Sequence, residues 1–327
     1  MSILITGGAG YIGSQIAWTL ADAGIPDNVV VLDRLDKVPC NLPTGVKTIM
    51  GDINDQDLVA KVIRQNNIDK IIHCAAVTSV PQSVRLPFWY YQNNVCNTHM
   101  LLSVAVRLRV KQFIFSSSSA VYGDPEFVRP MKEDDSLRPM SPYGWSKLMG
   151  EQIIKDTAKV YGFNYAILRF FNVAGADPQM RTGPTLYNSG MIFRVACETA
   201  LGRRPMFDIK GTDYPTPDGT AVRDYVHVAD VARAHVDMLE QGIGKNLILN
   251  VGCGHGYSVR EILGALEAIQ GAGSIPFRLQ ERRLGDPAKV IADVSALKQF
   301  GWTPHHDIRT IALHALRWER HLDPERD

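Results

Sequence analysis

Tyr143 and Lys147 lie four residues apart in the stretch SPYGWSKLMGEQI, which has a helical pattern. Side chains at this spacing share one face of a helix. A phenol beside an ammonium group is suited to moving a proton to or from a substrate hydroxyl, because nearby positive charge lowers the phenol pKa from about 10 towards neutrality. The pair therefore predicts an acid/base centre with Tyr143 as the acid/base, although a packed aromatic beside a solvated lysine would show the same spacing.

A cluster of serines follows the apolar run QFIFSS at 112–117, which is typical of a β-strand. Ligands of parallel sheets bind in the crevice beyond the carboxyl ends of the strands. Ser118 lies at such an end, where its hydroxyl could hydrogen-bond both a substrate hydroxyl and the phenol. We therefore predict that Ser118 completes the centre formed by Tyr143 and Lys147.

Three glycines, Gly7, Gly10 and Gly13, stand between the apolar run ILIT and an amphipathic helical pattern. Glycine costs conformational entropy on folding, so this spacing indicates a tight turn or a close approach of backbone to ligand. In a strand-turn-helix unit, such glycines let a pyrophosphate reach the helix N-terminus, where unpaired N–H groups and the helix dipole favour negative charge. The triplet predicts a dinucleotide-binding turn.

An acidic residue, Asp33, ends the second predicted strand twenty residues after Gly13. A carboxylate there accepts hydrogen bonds from the adenine ribose and repels a 2′-phosphate, which favours NAD over NADP. Arg34 leaves NADP open, since an arginine nearby can hold a 2′-phosphate. Asp52 and Ile53, after the third strand, would be placed to contact the adenine, although a simple strand-end turn also accounts for Asp52.

The elements that must position these residues alternate along the first half of the chain. Strands are predicted at 3–6, 29–33, 48–52, 70–75, 112–117 and 165–170, and helices near 11–24, 55–66, 89–109 and 143–161. Such alternation predicts βαβ units around a parallel sheet. After Asn172 the periodicity weakens and a smaller, loop-rich region begins near 174. A possible strand at 222–227 and a helix at 228–240 could return to the first sheet.

The composition excludes several function classes. With 45% hydrophobic and 21% charged residues and a net charge of +1, the chain lacks the basic excess expected of a nucleic-acid or membrane-surface partner. No apolar run is long enough to span a bilayer, and the N-terminus does not resemble a secretory signal. Five scattered cysteines indicate reduced thiols in a cytoplasmic protein. No metal site is predicted, and His305–His306 is interpreted as a surface pair.

Several motifs together resemble the extended short-chain dehydrogenase/reductase family and, within it, the UDP-glucose 4-epimerases. They are TGGAGYIGS, NNVCNT, SSSSAVYGD, SPYGWSK, LRFFNVAGADP and GTDYPTPDGTAVRDYVHVAD. The resemblance implies an α/β fold: a Rossmann-like doubly wound parallel sheet with a smaller C-terminal α/β substrate domain. It implies an NAD-binding domain at 1–173, with a return segment near 221–240, and a nucleotide-sugar-binding domain at 174–327. A tightly held NAD and a homodimer are also expected.

The resemblance also implies roles for individual residues. Besides the glycines, the cofactor contacts would be Tyr11, Ile12, Asp33, Asp52, Ile53, Asn93, Lys147 and Phe171. The catalytic set would be Ser118, Tyr143 and Lys147, and the UDP-sugar contacts would be Ser118, Tyr143, Asn172, Arg223, Arg283 and Asp286. The guanidinium groups of Arg223 and Arg283 are suited to binding the nucleotide because their forked donors match a diphosphate. Asp286 could instead pair with Arg283 or bind a ribose hydroxyl.

The reaction implied by the resemblance is epimerisation at C4 of a UDP-hexose. Tyr143 would take the proton of the 4-hydroxyl while NAD takes the C4 hydride, and hydride would return to the opposite face of the ketone. Related dehydratases and decarboxylases place acids where Ser119 and Ala120 stand here. Val290 stands where some members have a bulky tyrosine, so N-acetylated sugars are an open alternative. Two further alternatives to this function are an epimerase of UDP-pentoses or UDP-uronates and a non-catalytic NAD-binding regulator.

Overall fold

The computed structural model describes residues 2–34, 41–124, 129–184, 190–282 and 286–322. The strands are β1 (Ser2–Thr6), β2 (Val29–Asp33), β3 (Lys47–Met50), β4 (Ile68–His73), β5 (Gln112–Ser118), β6 (Asn164–Phe170), β7 (Asn172–Ala174), β8 (Phe207–Lys210), β9 (Val222–His227), β10 (Asn246–Val251), β11 (Gly256–Ser258), β12 (Phe277–Gln280) and β13 (Lys289–Val290). The helices are α1 (Tyr11–Asp22), α2 (Gln56–Gln65), α3 (Val80–Arg85), α4 (Pro87–Tyr91), α5 (Asn97–Arg107), α6 (Pro142–Tyr161), α7 (Ile192–Ala200), α8 (Val228–Gln241), α9 (Val259–Gln270), α10 (Ser295–Lys298) and α11 (Ile308–His321).

The first of two compact units comprises residues 1–123, 133–170 and 232–250. Its seven-stranded sheet has the order β10-β6-β5-β4-β1-β2-β3, and the neighbouring strands from β6 to β3 pair in parallel. Strands β1 and β2 are almost wholly buried apolar runs, as expected when helices cover both faces of a parallel sheet. The predicted Rossmann-like α/β fold is confirmed.

The predicted helix at 89–109 is interrupted. The structure has α4, a π-helical segment over Gln92–Cys96, and then α5. Two side chains compete with the regular backbone pattern here: the amide of Asn93 donates to the carbonyl of Trp89 at 2.8 Å, and the hydroxyl of Thr98 donates to that of Asn94 at 2.8 Å. Single π-turns inside helices often mark functional sites. The spacing of apolar residues along this stretch could not by itself reveal the interruption.

The second unit comprises residues 124–132, 171–231 and 251–327. Its four-stranded sheet is built around β9, which pairs with β7, β11 and β13, while β8 and β12 form a separate parallel pair. Helices α7, α9 and α11 contribute to one apolar core. In the described part of the chain, no helix combines the length and apolarity needed to cross a membrane.

The expected return to the first sheet is wrong for the strand at 222–227. This strand is β9, which belongs to the second sheet, whereas β10 joins the edge of the first sheet beside β6. β9 is largely buried and β10 is buried over its second half, so burial does not say which sheet either one joins. Pairing partners distant in sequence decide this, and they are not visible in a local pattern.

Candidate active site

The turn between β1 and α1 leaves no room for side chains at its glycines. Gly7 has a positive φ of 68°, and a Cβ built there would lie 2.6 Å from the backbone nitrogen of Ala75. A Cβ at Gly13 would lie 2.3 Å from the carbonyl oxygen of Gly7. Gly10 is the N-cap of α1 and offers no side-chain cap to its first N–H groups. A glycine turn of this kind at a helix N-terminus suits a pyrophosphate.

Asp33, at the end of β2, points back to this glycine turn. Its Oδ2 accepts a hydrogen bond from the backbone N–H of Ala9 at 3.0 Å. The neighbouring Arg34 forms a loose ion pair with Asp52, with 3.7 Å between Nη1 and Oδ2. The guanidinium that follows β2 thus lies beside the carboxylate that follows β3. A carboxylate at the position of Asp33 opposes a 2′-phosphate and accepts ribose hydroxyls.

Four further predicted cofactor contacts belong to the first unit. Tyr11 and Ile12 begin α1, and burial raises the pKa of the Tyr11 phenol well above its usual value. Ile53 is buried in the core beneath the sheet, so packing accounts for its apolar side chain. Asn93 lies in the π-helical segment with its amide bonded to the backbone of that segment. Their roles towards a cofactor remain predictions.

Asn94 is a buried residue that the sequence analysis missed. Its Oδ1 accepts from the backbone N–H of Val77 at 2.9 Å, and its Nδ2 donates to the carbonyl of Val77 at 2.9 Å. The same Nδ2 contacts the hydroxyl of Ser146 at 3.0 Å, on the helix that carries Tyr143. Asn94 therefore joins the segment after β4 to α6. The repeated asparagine in NNVCNT was the available signal.

Helix α6 begins at Pro142, one residue before the predicted start, and Ser141 is its N-cap. The hydroxyl of Ser141 accepts from the backbone N–H of Gly144 at 3.1 Å, and Pro142 occupies the first turn, where it costs no hydrogen bond. Tyr143 thus lies in the first turn of α6, buried and hydrogen-bonded to the side chain of Ser118. Ser118 is the last residue of β5. The structure brings the predicted acid/base and its serine together.

Burial dominates the protonation of Tyr143. It raises the pKa of the phenol to about 12, and the hydrogen bond from Ser118 only partly opposes this effect. In the protein alone the cost of burying a phenolate keeps this pKa high, and the expected lowering by positive charge stays a prediction for the protein with its cofactor bound. A protonated phenol is the state that this site holds at neutral pH.

The ammonium group of Lys147 is buried and bonded to the sheet. Its Nζ donates to the carbonyl oxygen of Ser116 at 2.8 Å and lies 5.0 Å from the ring centroid of Phe115. Burial lowers the pKa of Lys147 to about 8, so the group is still mostly charged at pH 7. The thiol of Cys74 accepts from the hydroxyl of Ser116 at 3.2 Å, and burial raises its pKa to about 11. This thiol was not predicted.

A buried ion pair also lies behind the predicted catalytic residues. Glu151 follows Lys147 by four residues on α6, and its carboxylate pairs with Arg169 of β6 at 2.8 Å. The sequence analysis missed both residues. The available signals were a carboxylate one turn beyond Lys147 and an arginine inside the apolar run YAILRF.

Two predicted substrate contacts meet within the second unit. Arg223 of β9 donates from Nη2 to Oδ1 of Asp286, and from Nη1 to the carbonyl of Val222 at 2.8 Å. Asp286 therefore pairs with Arg223, a partner that the sequence analysis did not consider. Arg283 lies outside the described residues. The pair places a guanidinium group next to a carboxylate. A guanidinium is suited to binding a diphosphate, and a carboxylate is suited to accepting hydrogen bonds from hydroxyl groups.

The remaining predicted contacts lie on separate strands and turns of the same unit. Asn172 is exposed on β7, paired in register with Tyr225 of β9. Phe171 precedes it, buried, with its N–H bonded to the carbonyl of Val251 at 3.0 Å. Val290 of β13 pairs in register with Arg223, which places this small side chain beside the arginine on the sheet.

The interpretation of residues 305–306 as a surface pair is wrong for His306. Its ring stacks on His227 with 4.0 Å between centroids, and its Nδ1 lies 3.0 Å from Oδ2 of Asp230. His314 completes the group, with one potential ligand atom per histidine within 4.8 Å of the others. Helix α11 brings His314 to this place from late in the chain, which no local spacing could predict.

Hydrogen bonds already occupy the nitrogen atoms of the central histidine. The backbone N–H of Ala229 donates to Nδ1 of His227 at 3.0 Å, so its proton is on Nε2, which faces Nδ1 of His314 at 2.9 Å. Burial, together with the neighbouring rings of His306 and His314, lowers the pKa of His227 to about 3. A neutral hydrogen-bonded chain explains this cluster, and a metal would have to displace the proton on His227.

Comparison with known proteins shows similarity along the whole chain. Residues 3–252 match the sequence profile of the NAD dependent epimerase/dehydratase family. The chain is 44% identical to a UDP-glucose 4-epimerase of Azospirillum brasilense, over 98% of this chain and 92% of that protein. It is 35% identical, with a TM-score of 0.93 over 99% of both chains, to the UDP-glucose 4-epimerase of Stenotrophomonas maltophila solved with NAD and formylated UDP-arabinopyranose. A UDP-Glc/GlcNAc 4-epimerase of Campylobacter jejuni matches at 35% identity and a TM-score of 0.83, over 98% of this chain and 99% of that one.

Proposed function

Since the chain belongs to the NAD-dependent epimerase/dehydratase family, we propose that it interconverts UDP-glucose and UDP-galactose by epimerisation at C4. NAD would stay bound through each turnover, because the reaction has no net oxidation. The observation that best supports this function is the group of Ser118, Tyr143 and Lys147 at the carboxyl end of β5, in which Tyr143 and Lys147 are buried and Ser118 is half-buried. It is the arrangement that removal and return of a hydroxyl proton requires.

The first unit has a cradle that fits a dinucleotide. The glycine turn would take the pyrophosphate, Asp33 the adenine ribose, and the ammonium of Lys147 a hydroxyl of the second ribose. The other proposed contacts are Tyr11, Ile12, Asp52, Ile53 and Asn93 in this unit and Phe171 in the other. When bound, NAD supplies the oxidant that takes up the C4 hydrogen with its electron pair and later returns it.

Tyr143 is the residue that would move the proton at O4 of the sugar. As a phenolate it takes the proton from the 4-hydroxyl, and as a phenol it returns the proton to the ketone oxygen. Because burial raises its pKa to about 12, positive charge must lie close by before the phenolate forms. The charged Lys147 on the same helix face supplies part of that charge, and Ser118 orients the phenol by its hydrogen bond.

Arg223 and Asp286 are the residues of the second unit that would bind the nucleotide, together with Asn172 and Arg283. Guanidinium forks hold a diphosphate through paired charge-assisted hydrogen bonds. Turning the ketone over requires that the sugar ring is held loosely. Binding energy must therefore come from the nucleotide, away from the carbon that reacts.

The small side chain of Val290 supports a second candidate substrate. Val290 is buried beside Arg223 in the strand register, and a valine there leaves more space than a bulky aromatic side chain would. A 2-N-acetyl group needs such space, so UDP-GlcNAc and UDP-GalNAc are the alternatives that this position favours. Replacing Val290 by tyrosine should lower activity on N-acetylated sugars and spare activity on UDP-galactose.

A second copy of this chain is the partner that we propose for an exposed apolar surface on the first unit. Helices α3 and α4 pack against α6, and their outer side chains include Val84, Phe88, Trp89, Trp145 and Met149. Phe88 is 89% exposed, which is unusual for a large aromatic side chain outside an interface. A homodimer would bury it. Light scattering should give a dimer for the wild type and a smaller species for Phe88→Glu.

A cytoplasmic location is proposed from the thiols. Cys74, Cys96, Cys197 and Cys253, the cysteines in the described residues, are all free. Free thiols persist in a reducing compartment. Thiol titration of protein freshly purified from its host under non-reducing conditions would test this by showing unpaired cysteines.

A panel of UDP-sugars tests the proposed function. Purified protein should contain NAD and convert UDP-galactose to UDP-glucose without net formation of NADH. UDP-GlcNAc, a UDP-pentose and a UDP-uronate complete the panel and separate the alternatives. Retention of NAD with no turnover of any sugar would instead favour a non-catalytic regulator.

A further inference from the structure

Three consecutive serines at the end of β5 each contact one residue of α6. The contacts are Ser118 with Tyr143, Ser116 with Lys147 and Ser117 with Glu151. The three helix residues are spaced four apart, so they occupy successive turns of one side of α6. The proposed catalytic residues account for two of these contacts. The third, between Ser117 and Glu151, has no direct part in the chemistry.

The carboxylate of Glu151 is fully engaged. It accepts from the hydroxyl of Ser117 at 2.5 Å and from Arg169 twice, from Nε at 3.0 Å and from Nη2 at 2.8 Å. Both charged side chains are almost completely buried. Because the Arg169 fork holds both oxygens, the carboxylate is not free to turn towards Lys147, one helical turn away. Lys147 donates to the backbone of β5 instead.

Arg169 is itself held from a second side. Its Nη1 donates to the phenol oxygen of Tyr122 at 3.0 Å and to the carbonyl of Glu133 at 2.9 Å. Tyr122 in turn donates to Oδ1 of Asn250 at 2.6 Å. Tyr122 follows directly after the short helical turn that Ser118 begins. The network therefore encloses the end of β5 and the turn beyond it.

We propose that Glu151 is a positioning residue of this reaction. Held by Arg169, it fixes Ser117 and with it the register of the end of β5 against α6. That register places the hydroxyl of Ser118 at Tyr143 and the carbonyl of Ser116 at Lys147. The inference rests on the proposed function, because Tyr143 and Lys147 are the residues that it positions.

Stability alone is a poor explanation for this buried pair. Replacing a buried ion pair by well-packed apolar side chains is often neutral or stabilising, so a fold does not need the charges. The charge of Glu151 also acts on its neighbour: burial lowers the pKa of Lys147, and the carboxylate of Glu151 is one of the groups that oppose this. The titration of Lys147 is therefore one readout of the charge of Glu151.

Two single substitutions separate the hydrogen bond from the charge. Ser117→Ala removes one hydroxyl and leaves the Glu151–Arg169 pair intact, and Ser117→Thr restores the hydroxyl. Glu151→Gln keeps the shape and removes the charge. Gln152→Ala is the matched control, since Gln152 is the next residue of α6 and its exposed side chain donates to the exposed Asp156. Each variant is assayed for kcat and KM with UDP-galactose across pH, with bound NAD measured alongside.

We expect kcat to fall about 10- to 100-fold in Ser117→Ala and Glu151→Gln, with KM and bound NAD little changed, because small misplacements of reacting groups cost rates of this order. Ser117→Thr should recover most of the loss. In Glu151→Gln the alkaline limb of the kcat profile should move to lower pH, since Lys147 loses its proton more easily. The double variant Glu151→Leu with Arg169→Met should fold and stay slow.

Wild-type kcat in folded Ser117→Ala would overturn the positioning role, and so would an active Glu151→Leu/Arg169→Met protein. Should Glu151→Gln fail to fold, the comparison of Ser117→Ala with Ser117→Thr still tests the positioning role. The activity of the wild type on the UDP-sugars is measured first. Inactivity on every one of them would overturn the proposed function and not the positioning role alone.

Discussion

The Nζ atom of Lys147 donates to the carbonyl oxygen of Ser116 at 2.8 Å, so an ammonium of α6 is tied to the backbone of β5. Two residues later the strand ends at Ser118, whose side chain bonds to Tyr143. A backbone acceptor does not vary with the side chain at its position. The contact between this strand and this helix therefore sets the geometry of the site.

Tyr143→Phe should lower kcat by about 10²- to 10⁴-fold, because it removes the group that moves the proton at O4. Bound NAD should remain, since the variant keeps the glycine turn and Lys147. Tyr161→Phe is the matched control, as Tyr161 is exposed at the other end of the same helix. Full activity in Tyr143→Phe, measured with UDP-galactose, would contradict the mechanism.

Gly7→Ala should abolish NAD binding and destabilise the protein. The new Cβ would lie 2.6 Å from the backbone of Ala75, and the φ of 68° is unfavourable for alanine. Gly162→Ala separates the two effects, because Gly162 has a φ of 73° but nothing within 4 Å of the built Cβ. That control should lose only about 1–2 kcal/mol. Thermal unfolding and NAD content measure both, and equal effects in the two variants would show that the close approach is unimportant.

Arg223→Met should raise KM for the UDP-sugar at least tenfold and leave NAD content unchanged, because it removes a charge-assisted contact to the diphosphate. The loss of the ion pair also frees Asp286, whose negative charge then repels the nucleotide. Arg278→Met is the control, since Arg278 pairs with Asp208 at the surface of the same unit. Steady-state kinetics with both variants decide whether the effect is specific to Arg223.

Acid should destabilise the fold partly through His73. Burial, assisted by the charge of Lys147, lowers the pKa of His73 from 6.5 to about 3. The unfolded chain therefore binds the extra proton between these values, and stability falls as the pH drops across that window. One such group changes the free energy of unfolding by up to about 1.4 kcal/mol per pH unit. Urea unfolding between pH 4 and 7 should show a flatter dependence in His73→Leu, and an unchanged one in the control His99→Gln at the surface.

The hydrogen bonds of His73 fix the tautomer of its neutral ring. The hydroxyl of Thr98 donates to the carbonyl of Asn94, so it accepts from Nε2 of His73 at 2.8 Å. Nδ1 is then the acceptor for the hydroxyl of Thr6 at 2.7 Å. Protonation of Nδ1 would require the hydroxyl of Thr6 to change from donor to acceptor. An unaltered pH slope in His73→Leu would mean that other buried groups, such as His227, carry the acid sensitivity.

The local elements of the first unit could be predicted from the sequence, because each depends on neighbours in the chain. Short apolar runs matched β1, β2 and β5, and the helical pattern predicted at 143–161 matched α6 to within one residue. The spacing of Tyr143 and Lys147 follows directly from helix geometry. The interruption at Gln92–Cys96 could not be read this way, since side-chain competition for backbone carbonyls leaves the apolar period unchanged.

The sequence by itself determined the chemistry available at the site: a phenol and an ammonium one turn apart, a serine at a strand end and a glycine turn for phosphates. Only the tertiary structure decided which distant residues surround them. Glu151 meets Arg169 and Ser117 because β5, β6 and α6 pack together, and Asp286 meets Arg223 through the sheet of the second unit. Local spacing specifies a shared helix face, whereas burial and pairing between distant segments arise only when the chain is folded.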